Sequence, residues 1–211
     1  MTRGISLSSF FLLLLFGAAL LGGCQNAGPA PLPRPERADF PGGATRLSLD
    51  LPGHFTANAQ SIPVPPEAAP FVLSMTRYQT GKETGIELQI TAVRFDDAAV
   101  AGRFGPARTP ARQKFYAVFQ DTLLSALPPE FKVKDAAAEI SDARETLSVD
   151  GRELTVLSVD YISGFQTPGK FKTIFIPDDR EAWLITILYD GGDERLPAEI
   201  ERIIQSIRVT G

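Results

Sequence analysis

Cys24 is the only cysteine and His54 the only histidine in 211 residues. Nucleophilic catalysis of the Ser-His or Cys-His kind needs an imidazole beside the nucleophile. His54 stands between Gly53 and Phe55 at the end of an apolar run, and no Gly-x-Ser-x-Gly elbow is present, so it reads as a surface turn residue. One histidine and one cysteine fall short of the three or four ligands of a zinc site. Carboxylates gather in Asp96-Asp97, Asp178-Asp179 and Asp190 with Asp193-Glu194, without the spacing of a calcium loop. Aspartate in a turn commonly bonds its own backbone. Gly102-Arg103-Phe104-Gly105-Pro106 lacks the Lys-Ser/Thr end of a phosphate loop. No carboxylate pair stands out for glycoside hydrolysis. No catalytic, cofactor-binding or metal-ligating residue is therefore expected, and no cofactor. Arg103, Arg108, Arg112 and Lys114 form a cationic run at the opening of a helix: either a patch for an anionic partner or solvated loop charge. Phe55, Phe71, Tyr78, Phe95 and Trp183 are either core or the lining of a ligand pocket.

The surroundings of Cys24 are more specific. Arg3 gives a positive start, an apolar segment is densest over Phe10–Leu21, and Gly22-Gly23 precede the thiol. A charged start, a short apolar middle and small residues at the end make a secretory signal. A spanning helix needs ~20 apolar residues, and this run is shorter. The tetrad Leu21-Gly22-Gly23-Cys24 resembles the lipobox of bacterial lipoproteins. That resemblance implies cleavage before Cys24 and acylation of its thiol by diacylglycerol, with a palmitate-type chain a natural addition. Two acyl chains are enough for stable anchoring. Gln25 is not the aspartate that in Gram-negative lipoproteins often retains the chain at the inner membrane, so the resemblance favours the periplasmic face of the outer membrane. Without lipid, Cys24 would be an unpaired thiol in an oxidising compartment.

The chain carries a formal charge of −4. An acidic chain suits neither nucleic acid nor attraction to an anionic lipid surface, so the lipid must supply the hold. The expected organisation is a signal segment over residues 1–23, a lipidated cysteine with a Pro-rich tether over 24–44, and one globular domain over 45–211. The tether, NAGPAPLPRPERADFPGG, contains five prolines and no hydrophobic period.

Within the domain, Leu47, Leu49 and Leu51 alternate with polar residues as a half-buried strand ending at Pro52-Gly53. After a Pro-rich loop, Phe71–Gln79 and Gly85–Phe95 read as a hairpin around Thr80-Gly81-Lys82. Thr109 and Pro110 suit the cap and first turn of a helix carrying Phe115, Val118, Phe119, Leu123 and Leu127, stopped by Pro128-Pro129. Residues 130–142 are ambiguous. Asp150-Gly151 joins a second hairpin and Pro177-Asp178-Asp179 a third, whose strands are apolar on both faces. Leu196, Ile200, Ile203, Ile204 and Ile207 make one stripe of a closing helix. The class is α+β, with a mainly antiparallel sheet flanked by helices on both faces.

This order resembles the Mog1/PsbP-like α/β/α sandwich shared with DcrB-like periplasmic lipoproteins. The likeness rests on Leu51-Pro52-Gly53 followed by Phe55, on Val149-Asp150-Gly151 before a long strand, and on a Trp-bearing strand before the closing Ile203–Ile207. It implies a fold and no catalytic motif, because members are chiefly accessory or binding proteins. The expectation is a membrane-anchored cell-envelope lipoprotein, a non-enzymatic binding or accessory protein with an envelope protein partner. A small-molecule-binding periplasmic module and a carboxylate-dependent hydrolase are the alternatives.

Overall fold

The structure is a computed structural model that describes residues 31–55, 58–79, 84–125, 143–162, 168–178 and 180–211. The chain divides into two compact units, Met1–Leu32 and Pro33–Gly211, and every element below belongs to the second. The signal segment, the lipobox with Cys24, the Thr80-Gly81-Lys82 turn, Leu127 with Pro128-Pro129, and residues 130–142 lie outside the described residues. No described helix is long and apolar enough to cross a membrane.

The described residues form ten strands and three helices in the order β1 Pro35–Pro41, β2 Arg46–Pro52, β3 Asn58–Ile62, β4 Val72–Gln79, β5 Ile86–Phe95, α1 Asp97–Phe104, α2 Pro110–Ser125, β6 Ala143–Val149, β7 Arg152–Ile162, β8 Pro168–Pro177, β9 Glu181–Asp190, α3 Leu196–Gln205 and β10 Arg208–Thr210. A small sheet has the order β1-β2-β10 and a large one β3-β4-β5-β9-β8-β7-β6. Every described pairing is antiparallel. The class is α+β, as the run of hairpins requires.

The three hairpins form where expected. Asp150 and Gly151 both take positive φ, 53° and 71°, which a two-residue turn demands. β9 is buried from Glu181 through Tyr189, so this strand is covered on both faces. Side chains along a strand alternate between faces. On one face Val93, Phe95, Phe175, Ala182 and Leu184 pack with Val100 of α1 and with Phe115 and Phe119 of α2. Side chains of the other parity reach different neighbours. Tyr78 meets Phe40 edge-on at 5.4 Å, and Trp183 Nε1 donates to Thr45 Oγ1 at 2.9 Å. Lys172 of β8 pairs with Glu201 of α3. Helix α3 buries Leu196, Ile200, Ile203 and Ile204 completely. Each contributes about 1.5–3 kcal/mol of transfer free energy.

The folded unit starts earlier than the expected boundary at residue 45. Pro35–Pro41, assigned above to the tether, is the edge strand of the small sheet. Its prolines sit at the strand's ends, where an edge strand tolerates them. Phe40 is its one buried anchor, and Arg37 ties it down by bonding Asp50, the Ser48 hydroxyl and the Ser206 carbonyl. Helix α1, strand β3 and strand β10 were also not anticipated. Asp96, read as a turn acid, caps α1 by accepting from Ala99 N at 3.0 Å, and Gly105 at φ 83° closes it. Thr109 caps α2 as its sequence suggests, accepting from Arg112 N at 3.3 Å.

Candidate functional site

The cationic run does not stay together. Arg103, Arg108 and Lys114 are exposed around the α1–α2 corner, with Arg108 at φ 70° in the connection. Arg112 is wholly buried and leaves the expected patch. Its Nη2 donates to Asp97 Oδ1 at 2.9 Å and its Nε to Tyr116 Oη at 2.9 Å, while the Tyr116 hydroxyl donates to the Asp178 carbonyl. Burial pulls the guanidinium's pKa down, but the bonds to Tyr116 and Asp97 outweigh it and hold it above the ordinary value. Arg112 therefore joins α1, α2 and the β8–β9 turn. Helical spacing explains the split: Lys114 lies two positions on, away from the face that carries Arg112 and Phe115.

Four of the five aromatics divide as well. Phe95 packs on the α1–α2 face with Phe71, while Tyr78 and Trp183 have the other parity and meet the small sheet. They line no common pocket. His54 is a surface turn residue, its side chain 84% exposed and 3.3 Å from Glu36. The acidic turns bond locally. Asp190 accepts from Gly192 N at 2.8 Å, and Asp193 accepts from Arg195 N and pairs with its guanidinium. The side-chain bond from Arg195 comes first among the causes that hold Asp193 down to about 2. Among the described residues, no three His, Cys, Asp or Glu side chains are placed to hold a metal ion.

Three polar assemblies that the sequence did not single out emerge from the pairing. The first is a clasp. Glu181, 1% exposed, accepts from the backbone N–H groups of Gly43, Ala44 and Thr45 and from the Thr45 hydroxyl. It fixes the β1–β2 turn to the start of β9. A side chain at Gly42 is excluded, because its Cβ would lie 2.6 Å from the backbone Thr45 O, and one at Gly43 would lie 2.9 Å from Arg94 Cδ and push that side chain aside. Burial, then the Glu181 charge, raises the Tyr78 pKa.

The second surrounds Lys172, whose side chain is 13% exposed. Its ammonium pairs with Glu201 and lies 4.0 Å from Glu145. Nearby Lys170 pairs with Asp160 at 3.5 Å. Burial first, then Asp160, Glu201 and Glu145, raises the Tyr189 pKa.

The third is a row of neutral polar side chains on the α1–α2 face. Register places Asn58 opposite Gln79, Gln79 opposite Gln89, Gln89 opposite Thr186, and Thr186 opposite Thr173. The row crosses β3, β4, β5, β9 and β8. It passes from exposed Asn58 and Gln79 to buried Thr186 and Thr173. Glu87, buried on the same face, accepts from Gln79 Nε2 at 3.0 Å and Gln89 Nε2 at 3.4 Å. Arg77, paired with Thr91 one level over, has its Nε buried with no hydrogen-bond partner among the described residues. The signal available in the sequence was the polar alternation of β4 and β5. The register that aligns five strands was not.

No protein-family model matches the chain. No curated protein matches it either. Ten chains of solved structure do. One is a protein of Bacteroides thetaiotaomicron VPI-5482, with a TM-score of 0.42 and 8% identity, covering 86% of this chain and 50% of its own. This chain thus spans half the length of that protein. Another is LpqN of Mycobacterium tuberculosis, described as involved in cell envelope biogenesis, with a TM-score of 0.33 and 14% identity over 84% of this chain and 92% of LpqN.

Proposed function

We propose that the chain is an exported lipoprotein of the cell envelope, held to the periplasmic face of a membrane by acyl chains on Cys24, and that it acts by binding rather than by catalysis. The observation that carries this reading is Leu21-Gly22-Gly23-Cys24 set directly behind the apolar Phe10–Leu21. Gln25 favours the outer membrane in a Gram-negative cell. The layering of α1 and α2 on one parity of the sheet, and of α3 and the small sheet on the other, supports a sandwich of the Mog1/PsbP type. The early start of β1 shortens the leash. About ten residues separate Cys24 from Pro35, roughly 30 Å if extended. A domain on so short a leash works close to the bilayer, which suits an accessory protein with a partner in the envelope.

Fractionation of a bacterium expressing the full-length chain tests the reading. The wild type is expected in the membrane fraction and to take up labelled palmitate, and Cys24→Ser in the soluble fraction without label. Equal membrane partition of both chains would overturn it. A second reading, a small-molecule-binding module, is favoured by the polar row on the large sheet. The carboxylate-dependent hydrolase has no such support: Glu145 and Glu201 both face the Lys172 ammonium.

A further inference from the structure

We propose that β3 is a self-pairing edge: two copies of this chain meet there strand to strand, antiparallel about a two-fold axis at Gln60, and join their large sheets into one. β3 ends the seven-stranded sheet, so its outward backbone N–H and C=O groups have no ladder partner among the described strands. An edge of this kind is a template for another strand.

The other sheet edges are guarded and this one is not. β1 carries Pro35, Glu36, Arg37, Asp39 and Pro41. β6 carries Arg144 and Glu145, and β10 is three residues long and opens on Arg208. Charge, proline and brevity are the usual means of keeping an edge from pairing. β3 reads Asn58-Ala59-Gln60-Ser61-Ile62, without charge or proline, and its first four residues are exposed. Its pairing with β4 runs from Asn58 to Ile62 without a register shift, so no bulge turns the edge away.

Register selects the occupant. Full overlap of β3 with an antiparallel copy of itself sets Gln60 opposite Gln60, Ala59 opposite Ser61 and Asn58 opposite Ile62. Directly opposite side chains have Cβ atoms roughly 5 Å apart, where like charges destabilise. Here no charge faces another. Each glutamine amide both donates and accepts, so the pair on the axis can bond to itself. Arg77 faces Gln60 from β4 and stays about 14 Å from its counterpart, three strand spacings away and beyond the Debye length. A foreign peptide added to an edge is chosen through pockets for alternate side chains. The small or polar side chains exposed on β3 give such a peptide little to be chosen by. A five-residue strand spans about 17 Å, which makes a contact smaller than the standard interface of about 1,200 Å² and upward, so the dimer is weak and reversible.

The pairing uses no residue of the lipobox, and Cys24→Ser is expected to associate as the wild type does, so loss of anchoring and loss of pairing are read separately. The test is sedimentation equilibrium of the full-length chain in density-matched detergent, from micromolar to millimolar concentration. The mass is expected to rise reversibly from one copy toward two. Gln60→Lys and Gln60→Glu, at an exposed position, are each expected to weaken association roughly tenfold at unchanged melting temperature. An equal mixture of the two is expected to associate at least as tightly as the wild type, because lysine then faces glutamate across the axis. The proposal is overturned if the wild type keeps the mass of one copy throughout, if the two variants alone associate as the wild type does, or if mixing them restores nothing.

Discussion

Glu181 shows how one side chain can hold two sheets together. Three backbone donors and a hydroxyl converge on its carboxylate, one on Oε1 and three on Oε2. Removing it strands those donors beside the main sheet. Glu181→Ala is expected to destabilise the domain by about 3 kcal/mol, read from urea denaturation, because each buried unsatisfied group costs about 1–3 kcal/mol. A loss below about 0.5 kcal/mol would show the clasp to be solvated and dispensable. Asp193 behaves differently. Its pKa is held to about 2 by Arg195, below the ordinary 3.8, so its favourable contribution is present above pH 4 and lost as pH falls toward 2. NMR titration of its carboxyl carbon is expected to show a midpoint near 2, rising toward the ordinary value in Arg195→Ala. No rise in that variant would rule out the ion pair as the cause.

Among the elements, the hairpins and the closing helix were legible because local signals set them. Asp150-Gly151 accepts positive φ, and the stripe from Leu196 to Ile204 follows the helical repeat. Strand β1 was hidden by composition. Prolines dominate its neighbourhood, it buries one large side chain, and Arg37 finds partners on β2 and after α3 that no local window contains. Helix α1 was hidden by brevity. Its eight residues carry one buried side chain, Val100, and its cap, Asp96, is also a common turn residue. The polar row is harder still. Its five members come from five strands, and their alignment exists only once every register in the large sheet is set. Arg112 marks the same limit for single residues. A cation in a basic run reads as surface, and only the approach of Asp97 and Tyr116 makes its burial tolerable.

At the scale of the whole chain, β1 is the first described strand, and this has a consequence for force. A pull arriving from the N-terminal side loads β1 before any other strand. As the outer member of its sheet, β1 can peel from β2 without disturbing a second ladder. Its seven residues would release roughly 20 Å of slack. Peeling then meets the Glu181 clasp on Gly43–Thr45, which holds the start of β2 to the large sheet. An optical-tweezers trace can test this on a Cys24→Ser chain held at its N-terminus and at a cysteine introduced at Lys114. It is expected to show an early reversible extension of about 20 Å before the main rupture. In Glu181→Ala that first extension lengthens, because nothing arrests the hairpin. A single rupture with no early step would mean that β1 and the body yield together. With the early step, the domain carries its own shock absorber, wound into its first described strand.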